Sequence, residues 1–457
     1  MRFPALALLS AIAVACSNDT PRRAAPAVAA PAPDAPVTAA EQYCAECHPQ
    51  HVAEWRTSSH AYALHDPVFV AMVGVGQQET KGALGDFCAQ CHTPLGHVAG
   101  ETAVRADGQG DAATYTQPIT GLSQNAMDGV SCVVCHSMTK VNGDVNAEFD
   151  MATDTVRRGP ISDPDVSPAH ASAYSGLFED THVCGTCHVV VNPKNVLLEA
   201  THIEWEESTF AGLKTCQDCH MPTYEGVAAV GHRKRTVHEH RFVGVDVSLL
   251  PESDFPGYDD GRARAEELLK SSATLGASFD APSTKLELEI KNLAGHALPS
   301  GAVADRQMWV ELVVTDASGN VALESGTLDE NGDLRVDDPL RTTRPGSDPQ
   351  LLLYGQVMLL EANPGAPDAG ATARPVDFLW EPNAARSNLI KPGATDRPSF
   401  DLSALPAGSY TASVRLLFRS FPPHVLRRLE AIGGLDPAVK GRVPTVEMAA
   451  TNVSFVL

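Results

Sequence analysis

Long apolar runs are missing from this sequence. Past Cys16, no stretch stays apolar for the roughly 18 residues that a membrane-spanning helix needs. Positive charge is also scarce: 34 Lys and Arg face 56 Asp and Glu, a formal net charge of −22. Such a surface disfavours nucleic acid and anionic lipid headgroups as partners. Cysteine is absent after Cys219, so any thiol chemistry belongs to the first half of the chain. At 457 residues the chain is long enough for two or three domains.

What is present is a repeated pentapeptide. Cys-x-x-Cys-His occurs as CAECH (Cys44–His48), CAQCH (Cys88–His92), CVVCH (Cys132–His136), CGTCH (Cys184–His188) and CQDCH (Cys216–His220). These motifs take ten of the eleven cysteines. A disulfide has no use for the histidine. A structural zinc site needs four ligands and does not fix a histidine beside the second cysteine. Covalent c-type haem uses all three residues: two thioethers to the vinyl groups and an imidazole to the iron. With 17 histidines in the chain, five chance placements at one offset are about a 1 in 10⁷ event. The expected cofactor is therefore haem c, five per chain. Cys44, Cys47, Cys88, Cys91, Cys132, Cys135, Cys184, Cys187, Cys216 and Cys219 are the expected thioether positions. His48, His92, His136, His188 and His220 are the expected proximal iron ligands.

The N-terminus reads as an export signal. Met1-Arg2 precedes the apolar run Pro4–Ala15, and Ala13-Val14-Ala15-Cys16 resembles the site at which bacterial lipoproteins are cut and lipidated. Ala13-Val14-Ala15 also satisfies the small-x-small rule of ordinary secretion. Lipidation gives the odd cysteine, Cys16, a use, and Ser17 after it points to the outer membrane. Residues 1–16 are thus read as signal and lipobox, and 17–40, rich in Ala and Pro, as a spacer.

Residues 41–247 hold all five motifs, whose first cysteines lie 44, 44, 52 and 32 residues apart. So little protein per haem makes the porphyrins the core. The expectation is an irregular, mainly helical multihaem domain. Residues 248–276 are expected to be a helical linker, with a helix over Asp260–Gly276 ended by Gly276. From 277 to 457 the pattern alternates: Lys285–Leu293, Met308–Asp316, Leu351–Ala362, Tyr410–Ser420 and Val446–Leu457 read as strands, with turns at Asp316–Gly319 and Asp329–Gly332. That spacing suggests an antiparallel, Ig-like β-sandwich, with one short helix over Pro422–Ile432.

Several segments carry a resemblance: EWRTSSH (Glu54–His60), FCAQCHTPLG (Phe87–Gly96), DGVSCVVCH (Asp128–His136), the run from Pro168 to Pro222, HRFVG (His240–Gly244) and NLAGHALPSG (Asn292–Gly301). Together they resemble the cytochrome c-554-like multihaem c-type cytochromes, extracytoplasmic electron-transfer proteins, over about residues 41–320. The resemblance implies distal iron ligands at His60, His170, His240 and His296. A ligand at His296 would tie the β-domain to the haem domain by a metal bond. A fifth distal ligand is left open among His65, His97, His182, His202 and His238; the near-repeat EWEESTF ends in Phe210 where EWRTSSH ends in His60.

The expected function is electron transfer by an exported, outer-membrane lipoprotein facing periplasm or cell surface. Its partners would be other redox proteins or an external acceptor, with membrane contact through the lipid only and no nucleic acid. No catalytic residue is assigned. The alternative is a multihaem oxidoreductase with one open haem acting on a small nitrogen or sulfur compound. Pentahaem nitrite reductases typically carry Lys in place of one motif histidine, and no Cys-x-x-Cys-Lys occurs here.

Overall fold

The computed structural model describes residues 38–110, 113–336, 347–362 and 373–457. Cys16, the signal segment and most of the spacer lie outside the described residues.

The motif-bearing half is built of short pieces. Helices Pro49–Arg56 (α1), Ser59–Tyr62 (α2), Pro67–Glu79 (α3), His182–Gly185 (α4) and Thr201–Glu206 (α5) alternate with loops and two-stranded sheets. The sheet pairs include Met138–Val141 with Phe149–Met151, Val190–Val191 with Leu197–Glu199, and Thr223–Val227 with Lys234–His238. All are antiparallel except Arg157–Gly159 with Ser172–Tyr174, which is parallel. The expectation of a mainly helical region is thus too simple, because the long connections between motifs fold back as hairpins.

Helix Tyr258–Ser272 (α6) leads into the C-terminal half. It stops four residues before Gly276. Ala273–Asp280 (β1) instead pairs along its whole length with Lys285–Asn292 (β2). The apolar residues here fit a period of two as well as a helical one, and the ladder hydrogen bonds decide between them.

The remaining strands are Gln307–Asp316 (β3), Val321–Ser325 (β4), Leu352–Leu360 (β5), Arg374–Pro375 (β6), Ala384–Asn388 (β7), Thr395–Asp396 (β8), Ser399–Asp401 (β9), Ser409–Arg419 (β10) and Val446–Val456 (β11). One sheet orders β1-β2-β8, with β9 also on β2. The other orders β6-β5-β3-β10-β11, with β4 on β3 and β7 on β5. Their facing sides form one core in a sandwich-like arrangement. Leu286, Leu288 and Ile290 of β2 meet Met308, Val310, Leu312 and Val314 of β3 and Ala412, Val414 and Leu416 of β10, all fully or almost fully buried. Each of these side chains except Ala412 contributes about 1.5–3 kcal/mol by leaving water.

The two halves are packed together. Val68, Ala71, Met72 and Val75 of α3 meet Val425, Leu426 and Leu429 of helix Pro423–Ile432 (α7), with Phe378 and Trp380 beside them. Trp380 Nε1 donates to Glu79 at 3.0 Å. Asn192 Nδ2 donates to the carbonyls of Leu379 and Pro382. Val196 and Leu198 pack on Met358 and Val376.

Candidate functional site

The five motif histidines share one local geometry. Each uses Nδ1 as a donor to a fixed oxygen from a distant part of the chain. His48 donates to the carbonyl of Ala228 (2.5 Å), His92 to Ala63 (2.9 Å), His136 to Arg158 (2.5 Å) and His220 to Val243 (2.8 Å). His188 donates to the Glu199 carboxylate at 2.9 Å. This fixes the ring and the tautomer and leaves Nε2 as the free lone pair, which is how proteins orient an imidazole toward a metal. None of these five acceptors is legible in the sequence, since four are backbone carbonyls 22 to 180 residues away.

Short helices present the motifs. Cys132–Ser137 and Cys216–His220 are one turn or slightly more, and Thr215 caps the latter by accepting from the Asp218 N–H while Asp218 takes the Thr215 N–H. Nine motif cysteines are free thiols.

Four motif histidines are opposed by a second imidazole at nearly one distance. Ring centroids are 6.2 Å apart for His48 and His170, and 6.4 Å for His60 and His188, for His136 and His240, and for His220 and His296. The interplanar angles are 17°, 44°, 27° and 16° respectively. Two imidazoles bonded through Nε2 to one metal, at about 2 Å per bond, put their centroids about 6 Å apart. The donor set and the spacing therefore fit haem iron. His170, His240 and His296 also turn Nδ1 to a backbone carbonyl, of Ala171, His238 and Ala297. His51 lies 6.3 Å from His48 as well, but tilted at 56° and edge-on to His240 at 4.7 Å. It follows His48 by three residues, too few to carry the chain round a porphyrin.

His92 is the exception. Phe69 of α3 stacks on it at 3.9 Å and 6°. The five histidines left open by the sequence lie elsewhere. His65 packs on Phe255, His97 bonds Asp86, His182 bonds Asp144, His202 bonds Thr181, and His238 bonds the Met221 carbonyl. Phe210 lies with Trp205 against Gly295, beside His296.

Burial sets the electrostatics. It pushes His60 down to about 3 and His220 down to about 4, and neighbouring imidazoles add to this. His240 also falls well below the usual histidine range, mainly through burial. These rings are neutral at pH 7 and so able to ligate. His188 goes the other way: burial lowers it, but the Glu199 bond and charge outweigh that and raise it to about 9. Gly129, at φ +65°, is needed because a Cβ there would lie 2.7 Å from the His60 carbonyl oxygen.

Thiols of different motifs meet. Cys44 lies beside Cys132, Cys187 beside Cys91, and Cys216 beside Cys184. The motifs thus converge on one region of the molecule.

Residues 55–211 match the family model of cytochrome c552. Over that stretch the chain resembles a multihaem c-type cytochrome. That match spans the second, third and fourth motifs, and the two outer motifs repeat the same pentapeptide, so the cofactors are five covalently bound c-type haems. The matched description is c552 where the sequence motifs resembled c-554; both fall in the multihaem c-type class. The fold is similar to that of a penta-heme cytochrome c552 from Thermochromatium tepidum, with TM-score 0.57 and 19% identity over 92% of this chain and 99% of that one. A comparison with curated proteins finds no match. Among the described residues, no helix is long and apolar enough to cross a membrane.

Proposed function

We propose that this cytochrome is an exported, lipid-anchored electron carrier whose haems at motifs 1, 3, 4 and 5 are ligated by paired histidines. The pairs are His48 with His170, His136 with His240, His188 with His60, and His220 with His296. The observation that carries the reading is the four opposed imidazole pairs, with centroids 6.2–6.4 Å apart. Haem supplies the one-electron change of iron. The chain aims these imidazoles through their Nδ1 bonds and burial keeps His60, His220 and His240 neutral, so little reorganisation accompanies that change.

The thiol contacts suggest the order in which the haems neighbour one another. Cys44 with Cys132 joins motifs 1 and 3, Cys187 with Cys91 joins motifs 4 and 2, and Cys216 with Cys184 joins motifs 5 and 4. The loop after motif 3 bonds the backbone of motif 4, through the Ala147 N–H to the Thr186 carbonyl and the Asn146 N–H to the Val189 carbonyl. The proposed path is 1–3–4, branching to 2 and 5. The domain organisation we propose is a haem region over 41–247, a linker over 248–276 and a β-domain from 277. Cys16 is the proposed lipid site. Replacing it by Ala would release the protein from the membrane fraction into the soluble one; unchanged fractionation would exclude lipid anchoring there.

One observation favours a second reading. Among the described residues no second imidazole pairs with His92 as one does with each of the other four motif histidines, and Phe69 stacks on its ring face instead, so the second haem is the place for an open coordination position. Stopped-flow mixing separates the two. For a carrier, the reduced protein is reoxidised quickly by an outer-sphere acceptor. It stays reduced with nitrite, hydroxylamine or tetrathionate. Turnover of any of these small molecules would make the protein an oxidoreductase and overturn the carrier reading.

A further inference from the structure

Three groups outside the haem ligand set converge behind the fourth motif. Asp144 comes from the loop between strands Met138–Val141 and Phe149–Met151, His182 from α4, and His202 from α5. One ligand atom from each lies within 4.8 Å of the others.

The loop is built to hold its place. Asn146 and Ala147 take positive φ, 50° and 61°. The Asn146 N–H donates to the Val189 carbonyl and the Ala147 N–H to the Thr186 carbonyl. The Asn146 side chain both donates to and accepts from the Val191 backbone. His202 is 2% exposed. Its Nε2 meets the Thr181 hydroxyl at 3.0 Å, and its Nδ1 is buried with no partner. Asp144 Oδ2 accepts from His182 at 2.7 Å, while Oδ1 is likewise buried without a partner. Folded chains rarely leave two such atoms together unsatisfied. Gly185 allows the arrangement, since a Cβ there would lie 2.6 Å from the His202 ring. Asp180 Oδ1 lies 3.9 Å from His182 Nε2, and the Glu206 charge also acts on both imidazoles. Neither histidine faces a motif histidine, so haem ligation does not explain the set.

We infer that Asp144, His182 and His202 bind a divalent transition-metal cation of the zinc type. Two imidazoles and a carboxylate are a donor set for zinc and its late first-row neighbours. Calcium and magnesium take oxygen ligands instead. The orphaned Nδ1 and Oδ1 gain a partner, and the surrounding carboxylates offset the ion's charge. The Asp144 and His182 side chains are 33% and 43% exposed, which leaves a solvent side for entry and for a water ligand. The ion would clamp the 142–148 loop, α4 and α5 to one another behind the turn that carries Cys184 and Cys187.

The test uses the holoprotein, stripped by chelator dialysis and titrated with zinc chloride by calorimetry while haem absorption is followed. One equivalent of zinc is expected to bind and to survive gel filtration, with the haem bands unmoved. Asp144→Asn and His182→Gln, both at partly exposed positions that tolerate change, are expected to weaken binding by more than the 10–100-fold typical of losing an outer-shell partner. Wild-type protein that retains no zinc overturns the proposal. So does zinc binding that both variants keep at full strength, or zinc uptake that shifts the haem spectrum.

Discussion

Replacing His296 by methionine tests the proposed tie between the β-domain and the haem region. His296 faces His220 at 6.4 Å, with ring planes 16° apart. Its backbone is held independently of its ring. The Asn292 amide donates to the His296 carbonyl at 2.8 Å, the Ala297 N–H to Glu204 at 3.1 Å, and the Ser300 hydroxyl to the same carboxylate at 2.6 Å. The turn should therefore survive the change, and a thioether should reach the metal position. Thioether is a weaker donor than imidazole and favours reduced iron. The midpoint of one haem of five should rise by on the order of 0.1 V, within the ~0.8 V that axial ligands span. Spectropotentiometry would show one component displaced and four unmoved. Near-infrared magnetic circular dichroism would show one paired-histidine band replaced by a histidine–methionine band. The alanine variant should instead expose a haem that binds cyanide. Unchanged midpoints and an unchanged infrared spectrum in both variants would refute His296 as a ligand.

Three further outcomes are expected. Glu199→Gln keeps a hydrogen bond to His188 but removes the charge that makes the ring a stronger donor, so one midpoint should rise; a fall or no shift counts against the orienting role. Leu426→Ala opens a cavity where α7 meets α3, and should cost about 2–5 kcal/mol in denaturant unfolding without altering the haem spectrum. Burial pushes Asp66 up to about 7, above its unfolded value. The stability from keeping it neutral is full below pH ~4 and is lost as pH rises through 7, at most about 1.4 kcal/mol per pH unit. Asp66→Asn can still accept from the Val68 N–H and should gain on the wild type as pH rises from 4 to 8; a gap that does not widen refutes this.

The sequence made some of this legible and hid the rest, for physical reasons. Thioether attachment needs both thiols and the imidazole within five residues, so that chemistry is written locally. The long strands β2, β3, β5, β10 and β11 follow apolar alternation, because one face of each is buried in the shared core. The step from α6 to β1 was hidden, since Leu275 and Ala277 satisfy both periods and only the pairing with β2 chooses. Which histidine faces which motif was hidden too. His60 precedes the second motif yet faces His188 of the fourth, and His170 follows the third yet faces His48 of the first. Pairing of imidazoles that crosses the chain in this way leaves no trace in spacing. The same holds for Phe69 on His92 and for the carbonyls that orient each ring.

The most direct measurement is a count of low-spin, paired-histidine haems in the fully oxidised holoprotein, by low-temperature electron paramagnetic resonance with near-infrared magnetic circular dichroism. Four are expected, with a fifth haem of different ligation. Five identical signatures, or fewer than three, would contradict the ligand pairing on which the account rests.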